Sequence, residues 1–182
     1  LAPNINSSQS TFMVNEKDQI EYGLAALKDV GIKFVEEVCE ERKNGRFTSL
    51  MDFASRVDLR KGGIRALQSM AKAGAFDEIC SRDEAVSSIK SYLEASEQKF
   101  KTKESAVMEM FAEEQDLKVT GYKLETFSES EKLKMELQSF GFYYSKHPIT
   151  LLRKTLSSKI QPINKLMTTS VSYTHLTLPT SY

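Results

Sequence analysis

The chain has 182 residues, with 25 basic and 25 acidic side chains and only two cysteines, Cys39 and Cys80. Zero net charge argues against coating nucleic acid by bulk charge but permits local basic patches. The distant cysteines have no metal-type spacing, and no apolar run is long enough to span a membrane, so a reducing cytoplasm and no membrane contact are expected.

In chain order, "TFMV" and "QIEYG" flank a turn-like "NEKD", which predicts a short hairpin within residues 1–20. That segment reads as the end of a preceding domain. Leu24 and Leu27 then fall on one side of a helix, and Phe34, Val35 and Val38 do so in a second. Asp29, Val30 and Gly31 leave room only for a tight turn between them. Lys43, Asn44 and Gly45 are a plausible stop. Phe47, Leu50, Phe53 and Val57 predict another helix, and "DLRKGG" breaks it. Ile64, Leu67, Met70 and Ala71 share the face of the next, which Gly74 ends, and Phe76 and Ile79 return to the core. The expectation is two helix–turn–helix units over residues 21–80, one turning at Gly31 and one at Gly74.

Ser81 with Glu84 forms a capping-box pattern, and Val86, Ile89, Leu93, Phe100 and Val107 mark a long helix over about residues 81–104, interrupted by "KFKTKES". Residues 105–127 read as an acidic linker with an apolar knot at Met108, Met110 and Phe111. Ser128 with Glu131 starts another helix, carrying Leu133, Leu137 and Phe140, and "ITLLRKTL" is a last short one. The fold class is therefore mainly α. The uncharged tail from Val171 to Tyr182 resembles a translated sequencing adaptor, and the absence of an initiator Met at Leu1 adds to the expectation of a fragment.

A helix–hairpin–helix unit has a direct use. Its tight turn lets backbone approach backbone, and the free N–H groups opening the second helix attract a phosphate oxygen. Such contacts position a protein on DNA without reading sequence. Lys28 and Lys33 flank the first turn, beside Asp29, which can cap the helix or adopt a left-handed backbone. Arg56, Arg60, Lys61, Arg65 and Lys72 surround the second, with Asp58 as the lone acid. The plain alternative is that both turns merely connect helices and the bases solvate a surface. His147 and His175 cannot build a metal cluster, and no catalytic triad, P-loop or dinucleotide fingerprint is present. Tyr143 and Tyr144 suit core packing better than stacking on bases.

The ordered motifs "YGLAALKDVG", "FTSLMDFASRVDLRK", "IRALQSMAKAGAFD" and "SFGFYYSKHPI" resemble the bacterial C-family replicative polymerases, the DNA polymerase III alpha subunits, from about Leu1 to Arg153. The resemblance implies that residues 1–20 end the fingers and 21–80 form a tandem helix–hairpin–helix domain on duplex DNA. Residues 128–170 would then lead toward an oligonucleotide-binding-fold domain outside this sequence. It assigns DNA contacts to Lys28, Val30, Gly31, Lys33, Arg60, Lys61, Arg65, Lys72 and Gly74. It implies a DNA-directed DNA polymerase, a nucleotidyltransferase, whose magnesium-binding aspartates lie in other segments, so this stretch carries no catalytic residue and no cofactor. "VMEMF" stands where the family has a sliding-clamp peptide, with Met108, Glu109, Met110 and Phe111 as contacts and Val107 replacing the usual Gln. Duplex primer–template, the clamp and other replicase subunits are the implied partners. The family has glycine at Asp29 and a polar cap near Gly62–Gly63. The alternatives are a helix–hairpin–helix module of a repair nuclease or ligase, and a purely structural helical domain.

Overall fold

The computed structural model describes residues 1–106, 117, 119, 121–150 and 152, and forms two units, Leu1–Ser145 and Lys146–Tyr182. The first unit is mainly helical, as expected. Strands β1 (Met13–Val14) and β2 (Ile20–Glu21) pair antiparallel in the expected hairpin, with Met13 opposite Glu21. Helices α1 (Ile32–Arg42), α2 (Leu50–Arg56), α3 (Gly63–Ala73), α4 (Arg82–Ala106) and α5 (Glu129–Phe140) follow.

The core sits around α3, which packs against α4 and α5. Leu67, Met70 and Ala71 of α3 are fully buried, with Phe47, Phe53 and Phe76 stacked beside them in edge and tilted contacts. Each aromatic pair adds roughly 0.5–1.5 kcal/mol beyond area burial. Residues expected to end a preceding domain also enter this core. Ile5 is fully buried, its amide donates to the Ala75 carbonyl at 2.8 Å, and the Asn6 side chain exchanges two hydrogen bonds with the Phe47 backbone.

Three elements differ from the sequence expectation. The first hairpin helix is only a 3-10 turn, Leu24–Ala26, because Leu27 is extended, at ψ 147°, and ends it after one turn; its leading amides, Leu24 and Ala25, donate to the Gln9 and Ser10 carbonyls. Spacing of Leu24, Leu27 and Val30 serves a turn and an extended residue equally well. Next, "KFKTKES" does not interrupt α4, which runs unbroken to Ala106. It contains no Gly or Pro, and Lys101 pairs with Glu97 one turn back at 3.4 Å. Finally, α5 buries Leu133 and Glu136 while Leu137 is exposed. Glu136 takes the core position because Arg82 Nη1 donates to it at 3.3 Å, and the Ser145 amide and hydroxyl each donate at 3.0 Å.

Residues 121–127 run along α4, where the Glu125 amide donates to Ser87 Oγ at 3.0 Å. In the second unit a helical turn occupies residues 148–150, with the Thr150 amide on the His147 carbonyl at 2.8 Å. No described helix is long and apolar enough to cross a membrane. The candidate clamp peptide, Met108 to Phe111, and the tail from Val171 lie outside the described residues.

Candidate nucleic-acid interface

These helices start in two ways. Ser49 caps α2, accepting from the Asp52 amide at 3.1 Å, and Ser81 caps α4, accepting from the Glu84 amide at 3.2 Å. Ser128 and Glu131 complete a full capping box on α5. All three carry acid in the first turn. A capped, acidic start satisfies the free amides and offsets the helix dipole internally.

Helices α1 and α3 lack both devices. Each is preceded by glycine, Gly31 and Gly62, without any side-chain cap among the described residues, and neither has an acid in its first turn. A Cβ at Gly31 would meet none of the described residues within 4 Å, so the approach to the α1 amides is open. Both starts read Gly-Ile-base: Gly31-Ile32-Lys33 and Gly63-Ile64-Arg65.

The two starts lie side by side. Gly62 sits against the Phe34 ring, where a Cβ would stand 2.7 Å from Cε1. Lys61 Nζ reaches Glu37 of α1 at 2.7 Å. The second turn that matches the first is therefore the 3-10 turn Leu59–Lys61 with Gly62–Gly63, not Gly74. Gly74 does end α3, in a left-handed conformation at φ 83°. It is buried beneath the Arg82 guanidinium and Asp77, so it offers no backbone surface to a ligand. The repeated Gly-Ile-base was the available signal for the correct repeat; a search for helix-ending glycine finds Gly74 instead.

Asp29 is left-handed, at φ 63°. Aspartate is among the few side chains tolerated in that conformation. It does not cap α1, whose N-cap residue is Gly31 and which receives no side-chain cap bond.

The other expected site residues separate into groups. Lys33 is exposed in the first turn of α1, and Val30 is buried, leaving its backbone at the turn. Lys28, Arg65 and Lys72 converge with Asp29 on one cleft. Arg60 is committed elsewhere: Nε and Nη2 bind the two Asp58 carboxylate oxygens at 2.9 and 2.7 Å. Burial alone would raise the Asp58 carboxyl, but the Arg60 hydrogen bonds and charge outweigh it and hold it below its ordinary range. Burial, helped by Glu84 and Asp77, pushes the Cys80 thiol up to about 12. Tyr144 stacks on Phe140 at 5.1 Å. Among the described residues no group of three or more His, Cys, Asp or Glu could hold a metal ion.

The helix–hairpin–helix motif family matches residues 1–85, the span holding both glycine-led starts. Among curated proteins the chain is similar to the DNA polymerase III subunit alpha of Campylobacter jejuni, 37% identical over 158 residues, which is 82% of this chain and 13% of that protein. It is similar to the subunit of Deinococcus radiodurans, 33% identical over 173 residues, 90% of this chain and 13% of that one. With the subunit of Pseudomonas fluorescens it shares 31% identity over 169 residues, 81% and 14% of the two lengths. The chain thus spans about a seventh of the length of the relatives it matches.

Proposed function

We propose that this chain, a relative of a segment of the bacterial DNA polymerase III alpha subunits, binds duplex DNA through backbone phosphates without reading sequence. The observation that carries this reading is the pair of adjacent helix starts at Gly31 and Gly62–Gly63. They have open amides, no acid, and a base two residues on. A phosphate at each start is favoured by the unpaired N–H groups and the helix dipole, and Lys33 and Arg65 add charge. The relatives' names favour a replicative polymerase over a repair nuclease or ligase. In the longer protein, this segment would hold primer–template while magnesium-dependent nucleotidyl transfer proceeds on carboxylates of other segments. The sliding clamp remains a candidate partner through Met108, Glu109, Met110 and Phe111. A peptide bearing "VMEMF" that fails to bind the clamp would remove that part alone.

Titration of the full chain against a labelled duplex of about 20 base pairs, at several salt concentrations, tests the main reading. Binding should weaken steeply with salt. The quadruple variant Lys28→Gln, Lys33→Gln, Arg65→Gln, Lys72→Gln should bind weakly. Its salt slope should be shallower by about 0.9 for each phosphate that is no longer neutralised. No binding by the folded chain at low salt would leave α1 and α3 as scaffold only.

A further inference from the structure

A cleft of about 250 Å³ opens between the Lys28–Asp29 turn, α3 and the C-terminal end of α5. Arg65, Gln68, Ser69 and Lys72 line it from one face of α3, at the i, i+3, i+4, i+7 spacing of neighbouring turns. Gln138 and Ser139 line it from α5. The walls are tied together: Lys72 Nζ donates to Gln138 Oε1 at 2.9 Å, and the Lys28 amide donates to the Ser139 carbonyl at 3.0 Å. Three bases face one acid, Asp29.

Two lining residues are anomalous. Ser69 and Ser139 are 7% and 2% exposed, and neither side-chain hydroxyl has a hydrogen-bond partner among the described residues. Buried hydroxyls are normally satisfied, and leaving one unpaired costs stability. Elsewhere in this chain helical serines bond back to the preceding turn: Ser87 to the Asp83 carbonyl at 2.6 Å and Ser88 to Glu84 at 2.7 Å. Ser69 and Ser139 depart from that pattern, and they share one cation-rimmed cleft. Its volume is below the ~300–1,000 Å³ of pockets for drug-sized apolar ligands.

We propose that this cleft seats a phosphate group, donated by the backbone of bound duplex nucleic acid, and that the Ser69 and Ser139 hydroxyls, closed to solvent in the unliganded chain, rotate about χ1 to become its hydrogen-bond donors. Arg65, Lys72 and Lys28 supply the charge, and Gln138 holds Lys72 at the rim. The seat shares Arg65 with the α3 start but takes its hydrogen-bond donors from Ser69 and Ser139, and it brings α5 into the interface. It rests on the duplex-binding reading for the source of the phosphate; free phosphate has the same chemistry.

The test uses the full chain and the double variant Ser69→Ala, Ser139→Ala, with a labelled duplex and inorganic phosphate as separate probes. The variant should bind duplex about tenfold more weakly, as expected when hydrogen bonds to a charged group are removed. Its salt slope should be unchanged, because no cation is removed. Its Tm without ligand should be equal or higher, since two unsatisfied hydroxyls are gone. Inorganic phosphate, compared with chloride at equal ionic strength, should raise the Tm of the unsubstituted chain more than that of the variant. Gln138→Glu, a surface change that draws Lys72 into an ion pair, should weaken duplex binding as well. Unchanged duplex affinity in the folded double variant would overturn the seat and leave the duplex reading standing. A phosphate-dependent rise in Tm confined to the unsubstituted chain, with no duplex bound by either, would overturn nucleic acid as the source.

Discussion

Replacing Asp29 separates charge from backbone shape at the first hairpin. Its carboxylate lines the same cleft as Lys28, Arg65 and Lys72, and its backbone is left-handed at φ 63°. Asp29→Asn removes the charge and keeps a side chain that tolerates this conformation. Two unit charges about 6 Å apart near a solvated surface interact by roughly 1 kcal/mol. The Asn variant should therefore bind duplex about fivefold more tightly at low salt, and the gain should fade at high salt as the Debye length shrinks to about 3 Å. Its Tm should barely move. Asp29→Ala removes the same charge but places a residue without a local hydrogen-bonding side chain in a left-handed site, at a cost of about 1 kcal/mol. Its affinity should rise as in the Asn variant while its Tm falls by a few degrees. Fluorescence anisotropy and thermal melts read both quantities. Unchanged affinity of the Asn variant across the salt series would mean that no phosphate comes near this turn. An Ala variant as stable as the Asn variant would mean that the positive φ carries no cost.

Gly62→Ala should destabilise the chain by about 1–3 kcal/mol in denaturant titration, because its Cβ would stand 2.7 Å from a Phe34 ring that is itself buried. Phe34→Leu in that background should recover part of the loss; an unaffected Gly62→Ala would refute the close approach of the two turns. Asp58 should contribute acid sensitivity. Its carboxyl is held below the ordinary value of 3.8, so its stabilisation is fully present above that value and is lost as pH falls through the lower folded-state one. Asp58→Asn should therefore lose less Tm than the unsubstituted chain between about pH 5 and pH 3; parallel melts would refute the pairing with Arg60.

Much of this fold was legible in the sequence because its signals were local. The Ser128–Glu131 box, the Ser81 cap, the Gly74 stop and the buried face of Leu67, Met70 and Ala71 need only neighbours along one helix. What was not legible depends on distant segments. The first hairpin helix stops after one turn at an extended Leu27, and its leading amides are satisfied by the Gln9 and Ser10 carbonyls, which lie far back in the chain. Glu136 occupies a core position only because Arg82, 54 residues away, meets it there. For the site, the sequence singled out Lys28, Arg65 and Lys72, and the structure places all three on one cleft. Counting bases could not separate them from Arg60, which Asp58 engages, or from Lys61, which Glu37 engages. Nor do Ser69 and Ser139 stand out in a sequence; their character arises from what fails to surround them.

The cleft's far wall depends on how α5 is held. Its start is capped by the Ser128–Glu131 box, but a helix this short is marginal by itself, so α5 stays helical mainly through its packing. Its attachment to the core rests on Leu133, which is buried, and on Glu136, 4% exposed and bound by Arg82 and Ser145. Glu136→Ala removes the second anchor. Arg82 keeps Asp77 at 2.6 Å, so the loss should be about 3 kcal/mol, at the low end for a broken buried pair. Because α5 packs chiefly on α3, that loss should appear first as local opening. Amide exchange in α5 should quicken roughly 10–100-fold while the α3 amides change less. Gln138 and Ser139 leave the cleft in the opened state, so duplex affinity should fall although the variant retains every base. Equal acceleration across α3 and α5 would show that Glu136 supports the whole unit rather than one wall. Faster α5 exchange with undiminished duplex affinity would show that α5 stands outside the interface.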